Sequence, residues 1–456
     1  LNTATRSHAP EAIRRRVALA TVVGTTIEWY DFFIYATAAG LVFADLFFKP
    51  AGHRMAAIVA FASVGISFLF RPLGAFLAGH FGDRFGRRAV LVLTLLLMGS
   101  ATTLIGVLPS FAQAGLLAPA LLLALRILQG VSAGGEWGGA VLMAVEHAPP
   151  NRRGLAGSFP QIGVPLGMLL AAGVNALMSG WISPGAAFVA WGWRIPFLLS
   201  VVMVVIGYYV RRAVDESPVF VQIAARHKQS RIPIAELLRR HWGLVILAAL
   251  VFAGNNCAGY MTTGGFITQY ATDPAGPVGL GRTPVLLAIA AAAALWLVFT
   301  LSGGILSDRF GRRRIYVVGY LCQILAIFPM FALVNAGRIE LLFVGLAIFT
   351  VGLGLTYGPQ AAWYAELFPA PVRFSGVSIS YALGAILGGA FSPMIATALV
   401  QATGGTTAVG VYLLAMSLVA LVAVLLLRER RGIDLGIANQ PEQEVGATVF
   451  ERPRRA

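Results

Sequence analysis

Apolar residues run along this chain in blocks of about twenty, parted by short polar breaks, and each block can cross a hydrocarbon core of about 30 Å as a helix. Twelve such helices are predicted. In the first half they cover 17–41, 55–79, 89–108, 115–145, 155–179 and 193–212; in the second, 242–270, 284–306, 314–336, 339–365, 375–402 and 407–427. The longest polar break runs from Arg211 to His241 and carries Asp215, Glu216, Arg226, Lys228, Arg231, Arg239 and Arg240, as an amphipathic connector on a membrane surface would. After Arg428 the chain is charged and holds two prolines, and it is expected to be unstructured. The pattern predicts an all-α membrane protein. Its parts are an N-terminal segment 1–16, a six-helix half 17–212, a linker 213–241, a second six-helix half 242–428 and a tail 429–456.

Composition agrees with a polytopic chain: 58% of the residues are hydrophobic and only 12% charged, which excludes an ordinary soluble protein. Arg14, Arg15 and Arg16 precede an apolar run of spanning length, so a cleavable signal is not expected. Cys257 and Cys322 both fall inside predicted spans, where free buried thiols are expected rather than a disulfide framework. A net charge of +15 could suggest a nucleic-acid partner, but its placement argues otherwise. Of the 34 Lys and Arg, four (Lys49, Arg54, Arg282, Arg338) fall on one side, and Arg71, Arg126 and Arg194 lie within or at the ends of spans. The other 27 share the opposite side with both termini and the linker. That asymmetry is the positive-inside rule; it makes the richer side cytoplasmic and needs no nucleic acid.

Two motifs recur at nearly one offset. Asp83-Arg-Phe-Gly-Arg-Arg88 returns unchanged as Asp308-Arg-Phe-Gly-Arg-Arg313, each after the second span of its half. Glu146-x-x-Pro149-x-x-x-Arg153 returns as Glu366-x-x-Pro369-x-x-x-Arg373. Such recurrence implies a duplicated six-helix unit, the plan of transporters whose halves rock about a central site. Asp83 with Arg84, Arg87 and Arg88, and Asp308 with Arg309 and Arg312, could make and break bidentate pairs as the halves move. Glu146, Arg153, Glu366 and Arg373 join them as gating candidates. The other reading of each loop is a basic turn that only fixes topology.

These residues carry a resemblance. Gly79-x-x-x-Asp83-Arg84-x-Gly86-Arg87-Arg88 is similar to the loop signature of the major facilitator superfamily, and Gly304 through Arg313 to its second copy. Leu125-Arg126-Ile-Leu-Gln129-Gly130 resembles that superfamily's helix 4 signature, associated with proton coupling. Within it, Glu28-Trp-Tyr-Asp31-Phe, Phe70-Arg71-Pro72, Gly134-Gly-Glu136-Trp-Gly-Gly139 and Trp191-Gly-Trp-Arg194-Ile-Pro196 together resemble the metabolite:proton symporters, most of all the shikimate-transporter branch. The resemblance implies carriage of carboxylates, dicarboxylates or zwitterions such as proline or betaine. Glu28 is a departure, since that branch would carry Asp there, and its longer side chain changes the size of a pocket.

Other energy sources lack their motifs. The two lysines, Lys49 and Lys228, sit in no phosphate-binding loop. His8, His53, His80, His147, His227 and His241 lie in loops or near span ends, so no buried cluster offers a metal or haem site, and no cofactor is expected. A membrane enzyme or a non-transporting sensor is the alternative of a different class.

Charge inside spans is costly and marks candidates for function. Glu28, Asp31 and Tyr35 fall on one face of the first helix. Arg71, twelve residues before Asp83, sits about 18 Å along the second helix at 1.5 Å per residue. Arg126 and Glu136 lie on the fourth. Asp31 with Arg126 is the expected coupling pair, with Glu28 and Glu136 as further candidates, because an arginine that alternates between a carboxylate and an anionic substrate controls when the proton binds. Arg126 is expected to hold the substrate carboxylate, with Arg71 its competitor; a static ion-pair network is the other reading. The second half offers Asn255, Asn256, Tyr260, Tyr357 and Gln360, and the first adds Tyr35 and Gln161, neutral groups suited to hydroxyls and a ring face or simply to helix packing. The sequence thus predicts a proton-coupled importer of a small organic acid, monomeric, in the cell membrane; a symporter of a zwitterionic solute is the alternative.

Overall fold

The computed structural model describes residues 11–85, 87–212, 233–263, 265–436 and 439–450, and only the backbone of 12–14, 53–54, 79–85, 87–91, 210–212, 233–236 and 260–263. Every predicted span is helical there. The first half holds α1 (Glu11–Ala38, prolonged by Ala39–Phe43 and Ala44–Phe47), α2 (His53–Leu69 and Arg71–Phe85) and α3 (Arg87–Gly106). It continues with α4 (Leu117–Ala133 and Glu136–Glu146), α5 (Arg153–Leu177) and α6 (Arg194–Leu198 and Ser200–Arg212). The second half holds α7 (Trp242–Thr263 and Phe266–Thr272), α8 (Arg282–Phe310), α9 (Arg312–Asn335) and α10 (Ile339–Tyr357 and Gln360–Leu367). It ends with α11 (Arg373–Ala385 and Ser392–Thr403) and α12 (Thr407–Leu426). Part of the linker, 213–232, lies outside the described residues; Pro233–Arg240 is a short helix leading into α7.

Many spans are broken, and local chemistry explains where. The α2 break falls at Phe70-Arg71, ahead of Pro72, where a proline restricts the residue before it. Two glycines part α4 at Gly134-Gly135, Gly265 takes φ 96° in α7, and Gly358-Pro359 divides α10. Between α8 and α9 the second copy of the repeated hexapeptide turns at Gly311 with φ 99°, a conformation that a side chain would strain.

Backbone meets backbone where helices cross at glycine. A Cβ on Gly130 or Gly134 of α4 would run into the Ser67 or Arg71 carbonyl of α2, and one on Gly384 or Gly388 of α11 into the Ala249 or Ala253 carbonyl of α7. The halves also meet each other. Towards one face, Gly40 of α1 lies against Gly265 of α7, and Gly65 of α2 against Ala390 and Phe391 beside α11. Towards the other, which carries the repeated Asp-Arg motif and is called here the basic face, Gly138 of α4 lies against Ser378 of α11, and Gly154 of α5 against Gly304 of α8. The centre is therefore closed from both ends.

The tail departs from expectation. The described residues 429–436 and 439–450 fold back across the basic face rather than trailing from it. Leu427 and Thr448 form an antiparallel bridge, and Leu435, Gln443 and Ala447 are buried. Its polar composition reads as solvated, but its partners are polar too.

The glycine contacts give a test. Alanine favours a helix over glycine by about 1 kcal/mol, yet at 134 its Cβ would press on the α2 backbone. In detergent, Gly134→Ala should lower the unfolding midpoint, whereas Gly173→Ala, whose Cβ would meet nothing within 4 Å, should not.

Candidate functional site

The buried charges of the first half sort into two groups. Glu28 of α1 and Arg71 of α2 form an ion pair, Nη2 to Oε1 3.3 Å, with both side chains buried. The Arg71 guanidinium also lies over the Phe68 ring at 4.5 Å. Asp31, though only three residues from Glu28, faces other helices. Its Oδ2 accepts a hydrogen bond from the Thr102 hydroxyl of α3 at 2.8 Å, and its Oδ1 one from Ser200 of α6 at 2.6 Å. Thr102 in turn accepts from Gln129 Nε2 at 2.7 Å, and Gln129 Oε1 accepts from Arg126 Nη1 at 2.8 Å. Arg126 and Asp31 are thus joined through two neutral side chains, every donor pointing towards the carboxylate. Polarised chains of this kind strengthen one another in a low-dielectric interior.

The rest of the Arg126 head is held by α2. Its Nη2 donates to the Val64 carbonyl and to Ser67 Oγ, both at 2.8 Å, and its Cζ lies 3.8 Å from the centre of the Tyr35 ring. The Tyr35 hydroxyl meets Ser63 Oγ at 2.7 Å. Glu136, at the start of the second segment of α4, is buried and close enough to act on Asp31 electrostatically.

Where the halves meet, the surfaces are aromatic and neutral. Trp137 of α4 stacks on Tyr381 of α11 at 3.7 Å between ring centres, and Tyr381 stacks on Phe252 of α7 at 4.2 Å. Beside this three-ring stack lies a cavity of about 10 Å³ lined by Trp29, Phe252, Asn255, Asn256, Trp296 and Tyr357, among others, roughly the room of one water molecule. The Trp29 and Trp296 indole N–H groups and Gln360 Nε2 are buried without a hydrogen-bond partner among the described residues. Gln161 bridges the halves: it accepts from Trp137 Nε1 at 2.8 Å and donates to the Tyr357 carbonyl at 3.1 Å. Asn255 is engaged within its own half, donating to Thr356 Oγ1 and, at 3.1 Å, to the Leu353 carbonyl. Asn256 donates to the Ala385 carbonyl at 3.3 Å.

At the basic face an ion network crosses between halves. Asp308 of α8 accepts from the Gly154 and Leu155 amides at 2.7 and 2.9 Å, so a second-half carboxylate caps the N-terminus of a first-half helix. Arg312 pairs with Asp308 at 2.7 Å and with Glu366 at 3.2 Å; Arg153 reaches Glu366 at 3.6 Å, and Arg373 reaches Glu146 at 3.5 Å. Among the described residues Arg309 joins no ion pair, and its guanidinium lies 5.3 Å from the Phe310 ring. The tail closes over this network. Arg153 donates to the Ile433 carbonyl at 2.6 Å, Arg373 to that of Leu435 at 3.0 Å, and Arg431 to that of Arg309 at 2.7 Å.

Six gating candidates, Asp308, Arg312, Glu146, Arg153, Glu366 and Arg373, are thus brought together. The side chains of Asp83, Arg84, Arg87, Arg88 and Tyr260 lie outside the described residues. The shared face expected for Glu28, Asp31 and Tyr35 divides, since Asp31 turns to α3 and α6 while the other two meet α2. Sequence reading missed Thr102, Ser200, Phe252, Trp296 and the tail, and gave Trp29 only as a member of the Glu28-Trp-Tyr-Asp31-Phe motif. Gln129 lay inside a quoted motif without a role, its spacing of three from Arg126 being the available signal.

Comparison with known proteins agrees with this architecture. The family described as Major Facilitator Superfamily matches residues 21–385. The inner membrane metabolite transport protein YhjE of Escherichia coli K12 is 42% identical over 431 residues, 93% of this chain and 97% of that protein. The shikimate transporter of the same organism is 38% identical over 421 residues, 91% and 94% of the two chains. A solved proton:xylose symporter, XylE, superposes with a TM-score of 0.73 at 18% identity, covering 93% of this chain and 98% of its own.

Proposed function

This chain belongs to the major facilitator superfamily, a family of transporters, and from that premise we propose that it is a proton-coupled symporter importing a small organic carboxylate. The observation that carries this reading is the buried link from Arg126 to Asp31. A protonatable group connected to a fixed cation, which itself lines a cavity of about 10 Å³, is what coupling of a proton to an anion requires. The unpartnered indole donors of Trp29 and Trp296 support a substrate rich in hydrogen-bond acceptors, and the ring-lined walls support a cyclic or compact one. Similarity to a shikimate transporter favours a hydroxylated ring acid. The ion network of the basic face serves as a gate, and the Lys/Arg asymmetry makes that face cytoplasmic, with both termini on it.

In this mechanism protonation of Asp31 removes the charge at the far end of the link, and Arg126 then takes the substrate carboxylate. Loss of the proton inside restores the link and expels the anion. For one proton with one monoanion the step is electroneutral, so the membrane potential does no work on it. A pH gradient supplies about 1.4 kcal/mol per unit.

Two experiments test the reading. Purified protein should gain thermal stability from its solute in a screen of carboxylates and betaines, by about 2.7 kcal/mol at 100 times the dissociation constant. Stabilisation by betaines alone would make the solute a zwitterion. In proteoliposomes Asp31→Asn, which mimics the protonated form, should retain counterflow and lose accumulation driven by an imposed pH step. Accumulation by the mutant would transfer the proton to another carboxylate, Glu28 first.

A further inference from the structure

We propose that Thr102 and Gln129 are positioning residues that carry the protonation state of Asp31 to Arg126. The proposal rests on the reading of Asp31 as the proton site. Its geometry is the chain already described, with one further contact: the Thr102 hydroxyl lies 2.8 Å from Asp31 Oδ2 and 2.9 Å from the Met98 carbonyl, so its single proton has two acceptors. With Asp31 anionic, Thr102 donates to the carboxylate while accepting from Gln129. With Asp31 protonated at Oδ2, the new O–H donates to Thr102 Oγ1, and the threonine proton turns to Met98. Its oxygen, with two lone pairs, then accepts from both Asp31 and Gln129. No atom moves far and no polar group is orphaned in either state. What changes is the charge that Gln129, and through it Arg126, feels.

The other groups around Asp31 do not offer this route. Ser200 of α6 donates to Oδ1 and, among the described residues, leads to no cation. Glu136 of α4 acts on Asp31 through space, and Arg71 of α2 is engaged with Glu28. Tyr30, the neighbour on α1, donates to the Pro196 carbonyl at 2.8 Å.

Thr102→Val keeps the shape and removes the hydroxyl; Thr102→Ser restores it. In proteoliposomes the valine variant should keep counterflow and lose about tenfold in acid-driven accumulation, a coupling loss of about 1.4 kcal/mol. The pH dependence of its counterflow should flatten, and serine should recover both. Wild-type accumulation and pH profile in Thr102→Val overturn the relay, as does equal loss in the valine and serine variants. Failure of the underlying reading looks different: wild-type protein would not accumulate substrate under the pH step, or Asp31→Asn would.

A second inference rests on other residues. We infer that 427–436 and 439–450 form a latch holding the basic face closed, in addition to the ion network read above as a gate. Gln443 is its pin. Its Oε1 accepts from the Ala370 amide at 2.8 Å and from Arg373 Nη2 at 3.1 Å, while its Nε2 donates to the Asp434 and Gly436 carbonyls at 2.7 and 2.8 Å. Arg430 staples the loop to itself through the Gln443 and Glu442 carbonyls at 2.9 and 2.5 Å. Because the same strand of tail holds Arg153 from the first half and Arg373 from the second, the halves cannot part at this face without releasing it.

The test uses Ser378→Cys in the full chain, a near-isosteric thiol facing Gly138 across the two halves. Maleimide labelling is read against a parent that carries only Cys257 and Cys322. Adding Gln443→Ala should speed labelling of the new thiol about tenfold, equivalent to about 1.4 kcal/mol lost from the closed state. Adding Arg431→Ala, an exposed contact to α8 carbonyls, should speed it less. An unchanged labelling rate overturns the latch, even where the unfolding midpoint falls, because the tail then only adds stability.

Discussion

A charge carried into the hydrocarbon region has to be met there by protein, and this one constraint arranges the rest of the molecule. Between its two ends the first half buries five charged side chains that the sequence marks out, and four of them are answered from another helix. Glu28 takes Arg71, Asp31 takes two hydroxyls, and Arg126 takes the carbonyls and hydroxyl of α2. The second half meets the same surface with rings and amides. The duplication kept the helices and the loop chemistry and let the interiors diverge, one electrostatic and one shaped.

The two faces close by different physics. Away from the basic face, glycine lets backbones touch, Ser179 and Thr283 share a hydrogen bond at 3.0 Å, and Arg282 lies over the Phe188 ring at 5.0 Å, so among the described residues contact there uses no ion pair between the halves. On the basic face, glycine contacts are joined by closure that is ionic and hydrogen-bonded. Removing one member of a buried pair typically costs 3–5 kcal/mol, whereas water can replace the whole set when the face opens together. A face held this way opens as a unit or not at all. The tail adds neutral carbonyls to arginines already paired, which satisfies donors that two carboxylates cannot reach.

How much of this was legible follows from what each residue does elsewhere. Apolar blocks of spanning length have one use, so all twelve helices could be read. The repeated DRFGRR and E-x-x-P-x-x-x-R motifs placed Asp308, Arg312, Glu366 and Arg373 together before any coordinates, because charge at a matching position in both halves is hard to explain otherwise. Thr102 and Ser200 could not be picked out, since a hydroxyl in a helix commonly bonds only its own backbone, as Thr103 does with Gly99. Trp29 and Trp296 carry no signal in the sequence that separates them from other tryptophans; only their buried N–H groups, without a hydrogen-bond partner among the described residues, mark them. The tail escapes sequence reading for a general reason: composition reports what a segment can do alone, and this one is held by Arg153, 280 residues away, and by Arg373, 62 residues away.

The answer to Asp31 arrives late during synthesis. Thr102 lies 71 residues further along the chain and Ser200 169, while Glu28 waits for Arg71 in the next helix. When α1 emerges, it therefore carries two carboxylates whose partners have not been made. A lipid-exposed helix with such a load is poorly stable in the bilayer. Until α6 is complete, α1 must be neutralised by protons or sheltered by water or another protein. The first half is in this sense a single unit of membrane insertion, whose opening helix is the last to become comfortable in it.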